Sequence, residues 1–449
     1  MKNTDKKMKN TDKKMKNTDK KMMIYKKEWA VEEKGNYDVI VVGAGPAGVA
    51  AAVTAGRNGA RTLLIETQGR VGGISTAGYM SHWTGSVGNR IYWEILKRSN
   101  KKTGIPERAT DIDPDCLTLT YIEMLEEAGV DCLTYTTVFD VISENNRLQG
   151  IICCNKNGLT VYRAAVVIDA SGDGDVAFKC GAEYVKGRES DGKMQPATLM
   201  FKVGGVDMKR AVFPGSFETL VPTEKGELQA LAKKFLPPPA GHVLLYRSPT
   251  PGIVTCNMTN VIGIDGTKAE DLTVAEFTAR KQILPIVKFL REYAPGYEEC
   301  YVVGSASLIG IRETRHFKGV KQLTETDIFQ ATQYDDYVVY DAHFDLDVHN
   351  LTGSGLDETG CQKSFTQKKG YTIPYGCLVP KKVDGLLLSG RNISGTHLAH
   401  ASFRAMPICA GTGEACGAAA AVAVKTKKNL RDVMPSEIRA LIGEKQIFS

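Results

Sequence analysis

The stretch GAGPAG, residues 43–48, lies between two segments of opposite character. Before it, YDVIVV is an apolar, β-branched run suited to a buried parallel strand. After it, PAGVAAAVTAGRNGA is Ala-rich and reads as a helix ending near Gly59. Gly43, Gly45 and Gly48 stand at G-x-G-x-x-G spacing. Gly43 permits the tight turn, Gly45 lets the backbone approach a pyrophosphate, and Gly48 lets helix and strand pack closely. A pyrophosphate here would face the unpaired N–H groups and positive end of the helix. The next strand, RTLLIE, ends in Glu66, placed to accept hydrogen bonds from a ribose diol and unsuited to a 2′-phosphate. The loop is therefore read as a dinucleotide site.

A chain of 449 residues has room for two or three domains. No run of about 18 uncharged apolar residues occurs, so no membrane span is expected. ICAGTGEACGAAAAVAV comes closest, but its Glu and small residues suit a buried helix. The N-terminus repeats MKNTDKK three times, with one apolar Met per heptad and no following apolar segment, so neither a coiled coil nor a signal peptide is expected. Residues 1–27 hold 11 Lys and 3 Asp, a surplus of 8 positive charges against +6 for the whole chain, which leaves the remainder at −2. The leader, taken as residues 1–35, is expected to be disordered, and the near-neutral body offers no nucleic-acid surface. None of the 11 cysteines forms C-x-x-C, so zinc-ribbon, iron–sulfur and dithiol motifs are absent and a reducing cytoplasm is expected.

After Glu66 a Gly-rich segment is expected to lie as a loop over the cofactor, followed by a helix over 112–128. Residues 130–175 read as strands with an Asn-Gly hairpin, and AAVVIDASG rejoins the first sheet. A three-stranded excursion between dinucleotide strands is a feature of FAD domains that short NAD domains lack. The fold class is therefore α/β: a Rossmann-like FAD-binding domain, its parallel sheet carrying a three-stranded β-meander, plus an inserted α+β substrate domain. The boundaries are 36–175 and 376–426 for the FAD domain, 176–375 for the substrate domain, and 427–449 for a tail helix. Within the insertion, Thr273 and Glu276 form a capping box for a helix kinked at Pro285.

Six blocks occur in order: DVIVVGAGPAGVAAAVTAGRNGARTLLIE, GRVGGISTAG, VVIDASGDGD, QPATLMF, GIRETRHFKG and LLLSGRNISGTHLAHASFRAMPICAGTGEACGAAAA. Over residues 36–426 the chain resembles the bacterial FAD-dependent oxidoreductases of the glutathione-reductase-like FAD superfamily, near the heterodisulfide reductase flavoproteins. The resemblance implies FAD. It places Gly43, Gly45 and Gly48 at the pyrophosphate and Glu66 at the adenosine ribose, with Pro46, Ala47, Gly73 and Pro407 also binding the cofactor. Arg70 would lie by the adenosine or phosphates, and the strand around Val138 would offer its backbone to adenine. Ser171, Gly172 and Asp173 match a second small-residue turn, and Gly390 and Arg391 a pair near pyrophosphate and ribityl. Without clustered cysteines, the iron–sulfur centres of some relatives are not carried over. Pro407 suits a first helical position, and a helix starting there and pointed at flavin N1 and O2 would favour negative charge by about 1–2 kcal/mol.

His397 and His400 stand at i, i+3 in GTHLAHASFR, equally consistent with acid/base chemistry and with structural bonds to carbonyls. His82 is a weaker case of the same kind. Arg312, Arg315 and His316 suggest either an anion clamp or ion pairs with Glu313. In DAHFDLDVHN, a strand would set Asp341, His343, Asp345, Asp347 and His349 on one face, as a polar wall over the flavin, a metal site or a solvated face. The family position favours the wall, and no metal is assigned. Tyr375 either hydrogen-bonds substrate or packs.

The reading is an FAD enzyme that oxidises or reduces a small organic substrate at a C–H or C=C bond, passing hydride to or from flavin N5. His397 is the leading acid/base, with His400, Arg312, Tyr375 and His349 as further candidates. A small molecule and an unidentified electron partner are expected; nucleic acid and membrane are not. The rivals are an electron-transfer component of a heterodisulfide-reductase-like complex and an RNA-associated flavoprotein using the leader.

Overall fold

The computed structural model describes residues 28–358, 365 and 367–443. The leader through residue 27, Cys361 and the end of the expected tail helix lie outside the described residues. Six strands open the fold: β1 Glu32–Val42, β2 Thr62–Ile65, β3 Asp131–Leu133, β4 Thr137–Glu144, β5 Arg147–Asn155 and β6 Gly158–Asp169. They run in the order β3-β2-β1-β6-β5-β4. The pairs β2–β3, β1–β2 and β1–β6 are parallel, while β4–β5 and β5–β6 are antiparallel. The end of β6, Val167–Asp169, also pairs parallel with a late strand, Leu386–Leu388. Thus β6 serves both the parallel sheet and the meander, and the chain returns to the first sheet after a long excursion. The Asn-Gly signal does mark a hairpin, since Asn155 pairs with Gly158 across a two-residue turn.

The first strand starts earlier than the leader boundary at residue 35 implied. Glu32 and Glu33 pair with Thr160 and Val161, and a register shift at Gly35 carries the ladder onward. Helix α1, Pro46–Arg57, follows the glycine loop, with Pro46 in its first turn. Helix α2 spans Pro114–Glu127, shorter than 112–128, because the Asp113 carboxylate caps it by accepting the Asp115 and Cys116 N–H groups.

A second, antiparallel sheet is built from β7 Phe201–Gly204, β8 Leu245–Arg247, β9 Val254–Cys256 and β10 Tyr301–Ser305, in the order β8-β9-β7-β10. Helix α3, Ala269–Tyr293, shares its core, which includes Phe201, Val203, Val243, Ile286, Leu290 and Tyr297. The expected capping box is not there. The helix begins at Ala269 with Lys268 as cap, so Thr273 sits inside it and donates to the Ala269 carbonyl at 2.8 Å, while Glu276 pairs with Arg280. Pro285 lies inside this helix.

The strand expected through 341–349 stops early. Tyr337–Ala342 pairs with Tyr371–Pro374, Asp341 takes a φ of 50°, and His343 then exchanges backbone bonds with Ser86 at 2.9 Å. Alternation is broken there, so the five polar side chains do not share a face: Asp341 is exposed while His349 is buried.

The closing helices are α4 His397–Phe403, capped by Thr396, and α5 Met406–Thr426, with Pro407 in its first turn. Helix α5 packs on α1 so closely that a Cβ on Gly413 would stand 2.0 Å from the Ala47 carbonyl oxygen, and one on Gly417 2.3 Å from that of Ala51. Among the described residues it is the one helix long and apolar enough to cross a membrane, and nearly all of it is buried in this core.

Candidate active site

The glycine loop shows why each glycine is there. Gly43 has φ of +95°, which a side chain disfavours, and its N–H donates to the Ile65 carbonyl at 2.8 Å. A Cβ on Gly48 would lie 1.7 Å from the Gly43 carbonyl oxygen, so Gly48 seats turn on helix. A Cβ on Gly45 would meet nothing within 4 Å. The protein has no packing reason for Gly45; the space before it belongs to a cavity. Gly73 closes over it, with a Cβ position 3.1 Å from the Gly45 Cα.

Glu66 ends β2 on the wall of this cavity. Its carboxylate accepts the Ala44 N–H at 2.7 Å and the Gln68 N–H at 2.8 Å, which fixes its direction. Burial pushes its pKa up against these two bonds. A carboxylate has roughly four lone-pair sites, so acceptor capacity for a diol remains. The turn after β6 is organised by Asp169, which accepts the Ser171 N–H and hydroxyl and the Ala177 N–H; burial pushes its pKa up to about 6. Asp173 then receives hydrogen bonds from Arg391 at 2.6 Å and Thr314 at 2.7 Å. Gly390, at φ of +86°, donates its N–H to Thr412 of α5 at 2.9 Å.

These groups line one cavity of about 1480 Å³, bounded by Gly43, Gly45, Pro46, Ala47, Glu66, Gly73, Val138, Ser171, Gly172, Asp173, Gly390 and Arg391. Ordinary small-molecule pockets measure about 300–1,000 Å³, so the space suits a dinucleotide with a second molecule beside it. The start of α5 opens on it through Ala405, Met406 and Cys409; Pro407 is buried behind them. Loop, acidic residue and small-residue turns fit FAD.

Arg70 is a correction. Its guanidinium donates to Asp115 at 2.7 Å and Thr118 at 2.8 Å, fixed acceptors at the start of α2, and it is not on the cavity wall.

The rest of the wall is polar and aromatic. Arg312 donates from Nη1 to the Pro196 carbonyl at 2.7 Å and to Thr198 Oγ1 at 2.8 Å. Arg404, between α4 and α5, donates from Nη2 to the Asp347 carbonyl at 2.8 Å and to Asp347 Oδ2 at 3.0 Å. His349 Nε2 lies 3.4 Å from the same carboxylate, and Phe217 stands edge-on to the imidazole at 5.0 Å. Burial, with Arg312 nearby, pushes the His349 pKa down to about 4, so its imidazole is neutral at pH 7. Burial disfavours the Asp347 anion, yet His349 and the two arginines outweigh it and hold its pKa well below the usual range. Burial and Arg404 draw the Arg312 pKa down to about 10.

Three catalytic expectations fail on geometry. His397 Nδ1 lies 2.6 Å from Glu313 Oε1, which also bonds His316 Nε2 at 2.8 Å, and the His316 ring packs edge-on against His400 at 4.5 Å. This Glu–His cluster is buried, and neither His397 nor His400 lines the cavity. Burial and His316 push the His400 pKa well below its ordinary value, as a neutral core imidazole requires. Tyr375 is buried elsewhere, its hydroxyl donating to the Leu430 carbonyl at 2.9 Å. Arg315 is tied to Asp173 and Asp175, and His82 pairs with Asp111 while stacking on Tyr246. Of the catalytic candidates, Arg312 and His349 reach the cavity. Arg404 was missed, although its place directly before the helix aimed at the cavity was visible in the sequence. Tyr246, Asn257 and Phe217 carried no such signal, because they enter from the second sheet and its loops.

The chain belongs to the FAD-dependent oxidoreductase family, whose profile matches residues 38–442. It is 32% identical over 169 residues to the thiamine thiazole synthase of Aeropyrum pernix, covering 32% of this chain and 58% of that protein. It is 30% identical over 158 residues to the digeranylgeranylglycerophospholipid reductase of Picrophilus torridus, covering 30% of this chain and 39% of that one. These matches thus span between 39% and 58% of the curated relatives. Among solved structures, a geranylgeranyl bacteriochlorophyll reductase-like protein of Thermoplasma acidophilum is similar at a TM-score of 0.47 and 13% identity, over 92% of this chain and 83% of that one.

Proposed function

We propose that this FAD-dependent oxidoreductase transfers a hydride between its flavin and a small organic substrate, at a C–H or C=C bond, with His349 as the proton acceptor or donor. The observation that carries the reading is that the glycine cradle and the His349–Asp347–Arg404–Arg312 wall bound the same cavity. Gly43, Gly45, Pro46 and Ala47 would hold the pyrophosphate, Glu66 the ribose, the backbone at Val138 the adenine, and Gly172, Asp173, Gly390 and Arg391 the remainder. FAD, when bound, supplies the hydride acceptor or donor. The residues of this chain manage the proton. Asp347 faces Nε2 of His349 and so favours the tautomer with its proton there, which leaves Nδ1 as the acceptor. Arg404 fixes Asp347, and Phe217 shields the imidazole from water.

The enclosed wall favours this reading over electron transfer within a heterodisulfide-reductase-like complex, which rests on the sequence resemblance alone. We place the protein in the cytoplasm, because its ten described cysteines are all free thiols. An anaerobic screen tests the function. A C–H substrate bleaches the oxidised flavin, and a C=C substrate restores colour to flavin reduced beforehand. Flavin that no organic compound reduces or reoxidises, but that a redox protein does, would support the electron-transfer reading instead.

A further inference from the structure

We propose that the substrate is an organic carboxylate, held by the paired guanidinium groups of Arg312 and Arg404. The inference rests on the proposed redox function and names the chemical class of its substrate.

The starting observation is an imbalance. Two guanidinium groups share this wall, and the carboxylate between them is Asp347, bonded to Arg404 at 3.0 Å and 3.4 Å from His349. No carboxylate of the described residues lies within 4 Å of Arg312. Its hydrogen bonds go from Nη1 to neutral acceptors, the Pro196 carbonyl and Thr198. Nε and Nη2 make none among the described residues. Of the other acids on the cavity wall, Glu276 pairs with Arg280, Asp173 with Arg391 and Asp175 with Arg315, Asp345 and Glu66 accept backbone N–H groups, and Glu218 stands beside Phe217. His349 is neutral here, as is His242, whose pKa burial pushes down to about 3. Enclosing a cation without a counter-ion is costly, and buried charges in proteins are ordinarily paired.

The free edge of Arg312 identifies what would restore balance. Nε and one Nη of a guanidinium form a planar fork that matches the two oxygens of a carboxylate. Arg312, Arg404 and Asp347 taken together carry one surplus positive charge, which a carboxylate cancels, whereas a phosphate monoester brings about −1.5 to −2. Next to the arginines the wall turns apolar at Met200, Phe217 and Leu244, which suits a carbon skeleton. The carboxylate end would therefore lie at Arg312 and Arg404, with His349 beside the adjoining carbon atoms.

The test uses the yellow holoenzyme and fixed probes: propionate, succinate, benzoate and cinnamate, their primary amides, and inorganic phosphate. Shifts in the visible flavin spectrum and in thermal midpoint are read together. We expect at least one carboxylate to perturb both, its amide to bind at least tenfold more weakly, and phosphate to have no effect. Arg312→Gln should weaken the responding carboxylate at least tenfold while retaining flavin, and Arg188→Gln, on an exposed pair with Asp191, should change nothing. If Arg312→Gln does not fold, the contrast between acid and amide in the unaltered protein decides alone. A yellow protein that answers no carboxylate, answers acid and amide alike, or answers phosphate instead would overturn the proposal. A protein that purifies without flavin would overturn the FAD reading itself, and the acid–amide contrast in thermal midpoint would still judge the carboxylate site.

Discussion

Gly45 and Gly48 stand three residues apart and are glycines for different reasons. A side chain on Gly48 collides with the backbone of its own turn, whereas one on Gly45 enters only the cavity. Gly45→Val should therefore fold but purify colourless, while Gly48→Val should fail to fold; absorbance and circular dichroism read the two outcomes. A yellow Gly45→Val protein would show that the pyrophosphate does not lie there. The motif made both glycines legible, because spacing encodes a backbone turn. Acid/base residues were less legible. His397, chosen for its nearness in sequence to the flavin-binding turn, faces Glu313, while His349 reaches the cavity because the chain leaves its strand after Ala342. For His349 the pH profile is diagnostic. Its pKa is held down to about 4, so as a proton acceptor it is ready throughout neutral pH and is lost only as pH falls through about 4. Flavin reduction by a C–H substrate should be flat from pH 5 to 8; a drop centred near the ordinary histidine value of about 6.5 would exclude His349.

Helix α5 concentrates what holds the FAD-binding half together. Gly417→Val would drive a side chain into the Ala51 carbonyl, a backbone group that cannot move aside, at a cost near the top of the ~1–3 kcal/mol of overpacking. Thermal unfolding should show a clearly lowered midpoint; an unchanged one would mean that α1 and α5 separate freely. Glu414 offers a second test. One oxygen accepts the Ile91 N–H at 3.1 Å, and burial, outweighing the hydrogen bonds offered by Asn89 and the backbone at Arg90 and Ile91, pushes the pKa up to about 7 from 4.5. Between those values the unfolded chain ionises first, so stability drains away as pH rises. Glu414→Gln should therefore unfold at a higher temperature than the natural protein at pH 8, with the advantage gone by pH 4.5. Equal midpoints at both pH values would show that the carboxylate is not buried as described. The helix was visible in its small residues, since close packing needs them. The strand through 341–349 was not, because alternation of polar residues records a period and cannot record a φ of 50° at Asp341.

At the scale of the molecule, two cores meet at one cavity. The parallel sheet with its meander supplies the dinucleotide cradle, and the second sheet with the segments around Arg312, His349 and Arg404 supplies the opposite wall. The first half was readable from local signals: a glycine loop, an acid at a strand end, a hairpin turn. The second was not, because Tyr246, Asn257 and Arg404 meet only through long-range packing, and no local spacing reports such a meeting. Of the histidines, His349 faces the cavity and His397 faces Glu313. The most direct measurement compares His349→Gln with His397→Gln, each reduced anaerobically by the compound the screen identifies, with rates taken per bound flavin. His349→Gln should stay yellow and slow by about 10²–10⁴-fold, while His397→Gln should keep its rate per flavin and lose thermal stability. A full rate in His349→Gln with a slowed His397→Gln would contradict this.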